Sequence, residues 1–148
     1  MIHETLQKRK TLERLKIPVL GREEDAADQV GAYIYLQLGP KEARRLITGT
    51  AYAFPYEAAK AENEHIKVDY SDEHGTPAQR AYNVLCIAYG ADTRVFKDFV
   101  GKGVLPEKRA EFCKGEYEQI QDAYNALIGP HVDQALADEV FERSWIQR

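Results

Sequence analysis

His3 and Glu4 stand together near the start of the chain, and those two residue types can do metal-assisted hydrolysis. A catalytic zinc site needs nitrogen or oxygen ligands around an open position and a carboxylate that takes a proton from the bound water. The pattern His-Glu-x-x-His meets that need on one helix, with two ligands four residues apart on one face and the base between them. Here the fourth residue after His3 is Gln7, so this register supplies one histidine only. Further on, Glu24 and Asp28 are also four apart and share a face if the segment is helical. A third group, Asp72-Glu73-His74, puts an imidazole beside a carboxylate. Each group has a plainer reading. His3-Glu4 can be a frayed terminus, Glu24 and Asp28 can complement a helix dipole or pair with Arg22, and His74 can serve loop hydrogen bonding. His65 and His131 bear no spacing relation to the others. No Ser-His-Asp or Cys-His arrangement is legible, and there is no glycine-rich phosphate loop.

Helices must position these residues, because three- and four-residue periodicity dominates the chain. Acidic Glu23, Glu24 and Asp25 open a helix on which Ala27, Val30, Ile34 and Leu38 form a stripe, and Gly39-Pro40 ends it. Ala43, Leu46, Ile47, Ala51 and Phe54 mark the next helix, with Pro55 expected to kink or break it. The polar stretch 64–75 reads as an ordered loop. Thr76-Pro77-Ala78-Gln79 is a helix start with a threonine cap, proline at the first position and a capping-box glutamine. Tyr82 to Tyr89 is apolar nearly all round and predicts a central buried helix. Asp92 caps a short helix that carries Val95, Phe96, Phe99 and Val100. Leu105-Pro106 opens a longer one with Ala110, Cys113, Tyr117, Ile120, Tyr124, Leu127 and Ile128 on one stripe, which Gly115 could loosen. After the Gly129-Pro130 break, Val132, Leu136, Val140, Phe141 and Trp145 mark a terminal helix. The expectation is an all-α fold, without a substantial sheet, built as one domain over 1–148.

Composition narrows the function classes. With 148 residues, 44% of them apolar and 30% charged, the chain is expected to bury a core without metal or disulfide staples. A net charge of −4 speaks against direct nucleic-acid binding, which needs a basic face. No apolar run approaches the roughly 20 residues of a membrane span. Met1-Ile2-His3-Glu4 has no charged-then-apolar signal region, so the chain as given is expected in the cytoplasm.

The run Pro18-Val19-Leu20-Gly21-Arg22-Glu23-Glu24-Asp25-Ala26-Ala27-Asp28-Gln29 resembles a segment of a bacterial family of zinc-metallopeptidase type whose function is uncharacterised. Asp72-Glu73-His74 through Gln79-Arg80, Tyr82 through Cys86, Ala88-Tyr89-Gly90, and Leu105 through Tyr117 carry the same resemblance. The resemblance implies that a His-Glu-x-x-His helix precedes the run, that Glu24 supplies a third zinc ligand, and that Asp28 orients a ligand histidine. It also implies that His74 resembles a downstream histidine that steadies the transition state. Its spacing puts the two ligand histidines at Thr5 and Arg9, where this chain has neither, and Lys8, Arg9 and Lys10 bring positive charge there instead. The chain is therefore expected to be an N-terminally shortened relative with a degenerate zinc motif. Cys86 and Cys113 each sit on the apolar stripe of a helix and both belong to the resembled pattern. They are expected near each other in the core as reduced thiols.

These readings make a non-catalytic protein-binding or inhibitory protein the first expectation, on a metallopeptidase-like scaffold with no cofactor and another protein as partner. A mobile-element inhibitor of host defence, of anti-CRISPR type, is one concrete form of it. Binding is expected where apolar surface lies between the first helix and the helix starting at Glu23, with Lys8-Arg9-Lys10 and Glu23-Glu24-Asp25 at its rim. The other reading is a zinc-dependent hydrolase using His3, Glu4 and Glu24. The remaining one is a relic without separate activity.

Overall fold

The computed structural model describes residue 10 and residues 12–63 and 71–142, leaving aside the side chains of 52–63 and 140–142. His3, Glu4, Gln7, Lys8, Arg9 and His65, and the expectations that rest on them, lie outside the described residues. Among the described residues seven helices with described bounds follow in order: α1 Glu23–Leu36, α2 Pro40–Asn63, α3 Pro77–Ala91, α4 Asp98–Gly101, α5 Glu107–Ala110, α6 Cys113–Leu127 and α7 Gln134–Glu142. A single 3-10 turn, Gly129–His131, precedes α7, and there is no strand among the described residues. The fold is all-α, as the periodicity predicts.

Local chemistry sets the boundaries. Gly39 takes φ +86° between α1 and α2, a left-handed conformation that glycine adopts without a Cβ clash, and Pro40 then opens α2. The capping box at Thr76 is complete: its hydroxyl accepts from the Gln79 amide and the Gln79 side chain accepts from the Thr76 amide. Asp92 Oδ1 accepts from the amides of Arg94 and Val95 and so starts the turn leading to α4. No helix of the described residues is long and apolar enough to cross a membrane.

Helix α3 is the hub. It packs against α1, α2 and α6, and Val84, Leu85, Cys86, Ile87 and Ala88 are buried one after another, as an all-round apolar segment requires. Ile47, Phe96, Phe99 and Leu105 close the core around it. Arg44 ties α2 to the α4 region. Its guanidinium donates to the Val95 carbonyl and to Asp98 Oδ2, both at 2.6 Å, and lies 5.5 Å over the Phe99 ring. Through those bonds Asp98 is held down to about pKa 2.

Four expectations need correction. The buried face of α1 is Glu24, Ala27, Gly31, Ala32 and Tyr33, whereas Ile34 is left 36% exposed. Small residues let α1 approach the hub closely, and a count of large apolar side chains overlooks them. Helix α2 runs through Pro55 to Asn63, where a break was one of the two outcomes expected. The single long helix after Pro106 is two, α5 and α6, separated at Glu111-Phe112 with Phe112 exposed. Finally, Cys86 and Cys113 are neighbours in the core, as expected, but they are joined as a disulfide rather than left as thiols. The physical cause is a close crossing: Gly90 on α3 has no Cβ, and one there would overlap the Cys113 carbonyl.

Candidate functional site

The polar cluster forms where the first turn of α1 meets the loop that leads into α3. Glu24 is the one buried charged residue among the described residues, with 6% of its surface exposed. It faces His74, whose Nε2 lies 3.4 Å from Glu24 Oε1. On the other side of the ring, His74 Nδ1 is 2.8 Å from Asp72 Oδ1, and the same oxygen accepts from the His74 backbone amide at 2.8 Å. The capping box immediately downstream fixes the end of this loop, so the imidazole is held at both of its nitrogens.

Such a geometry favours the charged ring. With Nδ1–H donated to Asp72, a neutral ring would turn its Nε2 lone pair towards the Glu24 carboxylate, whereas an imidazolium donates in both directions. The Asp72 hydrogen bond, and then the nearby negative charge of Glu24, accordingly raise the His74 pKa above its ordinary value. The same pair of bonds from His74 lowers the Asp72 pKa. Next to Glu24, burial raises the pKa of Asp25, against the opposing charge of Arg22.

One turn further along α1, Asp28 is bound by Arg80 of α3. Arg80 Nε and Nη2 donate to its two oxygens at 2.7 and 3.0 Å, with the side chains only 10% and 17% exposed. Glu24 and Asp28 do share a face, as their spacing predicts, but the structure gives them different partners: His74 for one and Arg80 for the other. Sequence reasoning assigned no role to Arg80. A lone arginine on the fourth residue of a helix carries no signal of which carboxylate, 52 residues away, it will meet. His131 is exposed and away from this cluster.

Beside the cluster runs an apolar groove of about 430 Å³. Leu12 and the segment Ile17–Leu20 form one wall, and Ile120, Tyr124 and Leu127 of α6 form another. Arg22 and Asp25 lie at its polar end. Leu20 is wholly exposed and Leu127 is 39% exposed. A larger cavity of about 610 Å³, near Gly39 and Phe96, has Asp92 and Arg94 in its lining, and these pair with each other at 3.3 Å.

Residues 1–128 match the family DUF4344, described as "putative metallopeptidase", and the chain belongs to that family. No curated protein and no solved structure matches the chain.

Membership raises the question of whether these residues suit a catalytic zinc. Glu24 Oε1 and His74 Nε2 are separated by about the edge of a zinc tetrahedron, since bonds of ~2.0–2.1 Å put two donors roughly 3.3–3.4 Å apart. Asp72 on the far nitrogen is the kind of partner that orients a ligand histidine. These are two donors, and a catalytic site needs three. No group of three His, Cys, Asp or Glu that could hold a metal ion occurs among the described residues. Asp28 has both oxygens engaged by Arg80, and Thr5 and Arg9 occupy the positions at which the resemblance puts the histidines. The described residues make part of a zinc site and do not by themselves complete one.

Proposed function

We propose that this protein is a non-catalytic member of its metallopeptidase-like family that works by binding another protein. The observation that carries the reading is the Asp28–Arg80 pair: the carboxylate that should steady a ligand histidine is bound bidentately inside the chain. A part-buried bidentate pair of that geometry leaves the carboxylate engaged within the chain rather than poised to assist a metal. The apolar groove beside the cluster supplies the binding face, with Leu20 at its lip as a side chain a partner could cover. It lies between the residues preceding α1 and helix α6. The narrower idea of a host-defence inhibitor has no residue here that favours it.

The test pairs a binding assay with a cleavage assay. Purified protein is screened against a displayed library of apolar and amphipathic peptides, beside the variants Leu20→Asp and Leu127→Asp. Enrichment that either variant abolishes, with no cleavage of quenched fluorescent peptides when zinc is added, supports the reading. Zinc-dependent cleavage that a chelator stops would overturn it.

One observation favours a second reading, a zinc-dependent hydrolase with an atypical ligand set. It is the tetrahedral-edge separation of Glu24 and His74, together with Asp72 behind the ring. On this reading Glu24 and His74 would be two ligands, and the third would have to come from outside the described residues, where His3 lies.

A further inference from the structure

Helix α6 lies along the hub helix α3, with Tyr117 and Tyr124 against the buried ring of Tyr33 on α1. Of its fifteen residues, Cys113 is the only one that is buried, while Tyr117 and Ile120 pack against the core partly exposed. Cys113 is fully buried and bonded to the equally buried Cys86 on the hub helix α3, 27 residues earlier in the chain. The surroundings of the bond are fitted to it. Gly90 admits the backbone of α6 at the crossing, with the Lys114 nitrogen 3.0 Å from where a Cβ would stand. Arg109 Nη1 lies 2.8 Å from Cys86 Sγ, and the same guanidinium is clamped on Glu116 of α6 by bonds of 2.6 and 2.7 Å. Arg109 Nη2 also reaches Asn83 of α3 at 3.4 Å. The disulfide and the ion pair around it are thus the buried anchor at the start of α6, ahead of the partly exposed packing of its later turns.

We infer that the docking of α6 is redox-dependent and that the protein acts in an oxidising compartment. A disulfide closing a loop of this length removes much of the freedom of the unfolded chain, and such bonds persist where glutathione-type reduction is absent. Its formation is an exchange: the two thiols give two protons and two electrons to a disulfide-bearing oxidant, which leaves as a dithiol. This departs from the cytoplasmic expectation, which rested on the first residues alone. The consequence for function follows from position, and this part rests on the groove being the binding face. Ile120, Tyr124 and Leu127, which form one groove wall, all belong to α6. Loosening α6 therefore opens the groove, so the binding face exists only in the oxidised chain.

Hydrogen exchange read by mass spectrometry tests this on the full chain. The protein is produced in the same bacterial cells with and without a fused export signal, and thiols are blocked at lysis and counted by mass. The exported chain should carry no blockable thiol and the cytoplasmic chain two. Amides of 113–127 should exchange at least roughly tenfold faster in the reduced chain, while those of the hub helix change less. If reductant does not reach the native bond, Cys86→Ala/Cys113→Ala takes the place of the reduced form, and a loss of protection spread evenly over α6 and the hub helix would count against the inference. Two free thiols in the exported chain, a disulfide formed in the cytoplasm, or equal protection of α6 with and without the bond would each overturn it. These outcomes do not depend on whether the groove binds anything, so failure of the peptide screen leaves them readable.

Discussion

His74 is held between Asp72 and the buried Glu24, so its charge should report directly on the cluster. Its pKa is raised, so its contribution to stability is fully present below the ordinary histidine value of about 6.5 and is lost as pH rises through the raised value. Asp72 is shifted the other way, so its contribution is present above about 3.8 and is lost as pH falls through the lowered value. Together they act between about pH 4 and pH 6.5. Asp72→Asn should bring the His74 titration, followed by proton NMR, back towards the ordinary value, and by more than Glu24→Gln does, because the Asp72 hydrogen bond is the larger cause. An equal titration in all three proteins would show that the ring is not held as described. The Asp28–Arg80 pair lends itself to a double-mutant cycle. Arg80→Met should cost about 1–3 kcal/mol in urea unfolding by leaving a part-buried carboxylate unpaired, and adding Asp28→Asn should recover part of that loss. Strict additivity of the two changes would contradict the pairing.

At the scale of elements, the sequence was most legible where local chemistry decides. Gly39-Pro40 and Thr76-Pro77 mark their boundaries because a left-handed residue, a fixed φ and a hydroxyl cap act within a few residues. The separation of α5 from α6 was not legible, because the apolar stripe from Ala110 to Ile128 runs on unbroken in the sequence while the chain turns at Phe112. The disulfide was equally hidden. It depends on how closely two helices cross, and that is set by the missing Cβ of Gly90. Gly90→Ala should therefore cost several times the usual helix-interior effect of a methyl group, which by itself would favour alanine by up to about 1 kcal/mol. Thermal unfolding should show a fall in midpoint of roughly 4–12 °C if the overlap costs roughly 2–3 kcal/mol in a chain of this size. An unchanged or raised midpoint would mean that the crossing is looser than described.

At the scale of the whole molecule, the family was readable from the order and spacing of segments such as Pro18 to Gln29, and the family match over residues 1–128 agrees with it. The shared face of Glu24 and Asp28 was readable too. Their partners were not, since His74 and Arg80 lie about 50 residues away and reach α1 only through the packing of α3 against it. What the assembled site lacks is a third metal donor among the described residues, together with histidines at Thr5 and Arg9. The central claim is that this metallopeptidase-like scaffold no longer holds a catalytic ion, and elemental analysis tests it most directly. Protein dialysed against metal-free buffer after exposure to excess zinc should retain well under one equivalent per chain, and Glu24→Ala or His74→Ala should leave that figure unchanged. One zinc per chain that survives dialysis and is lost on either substitution would contradict the claim and make the hydrolase the better account.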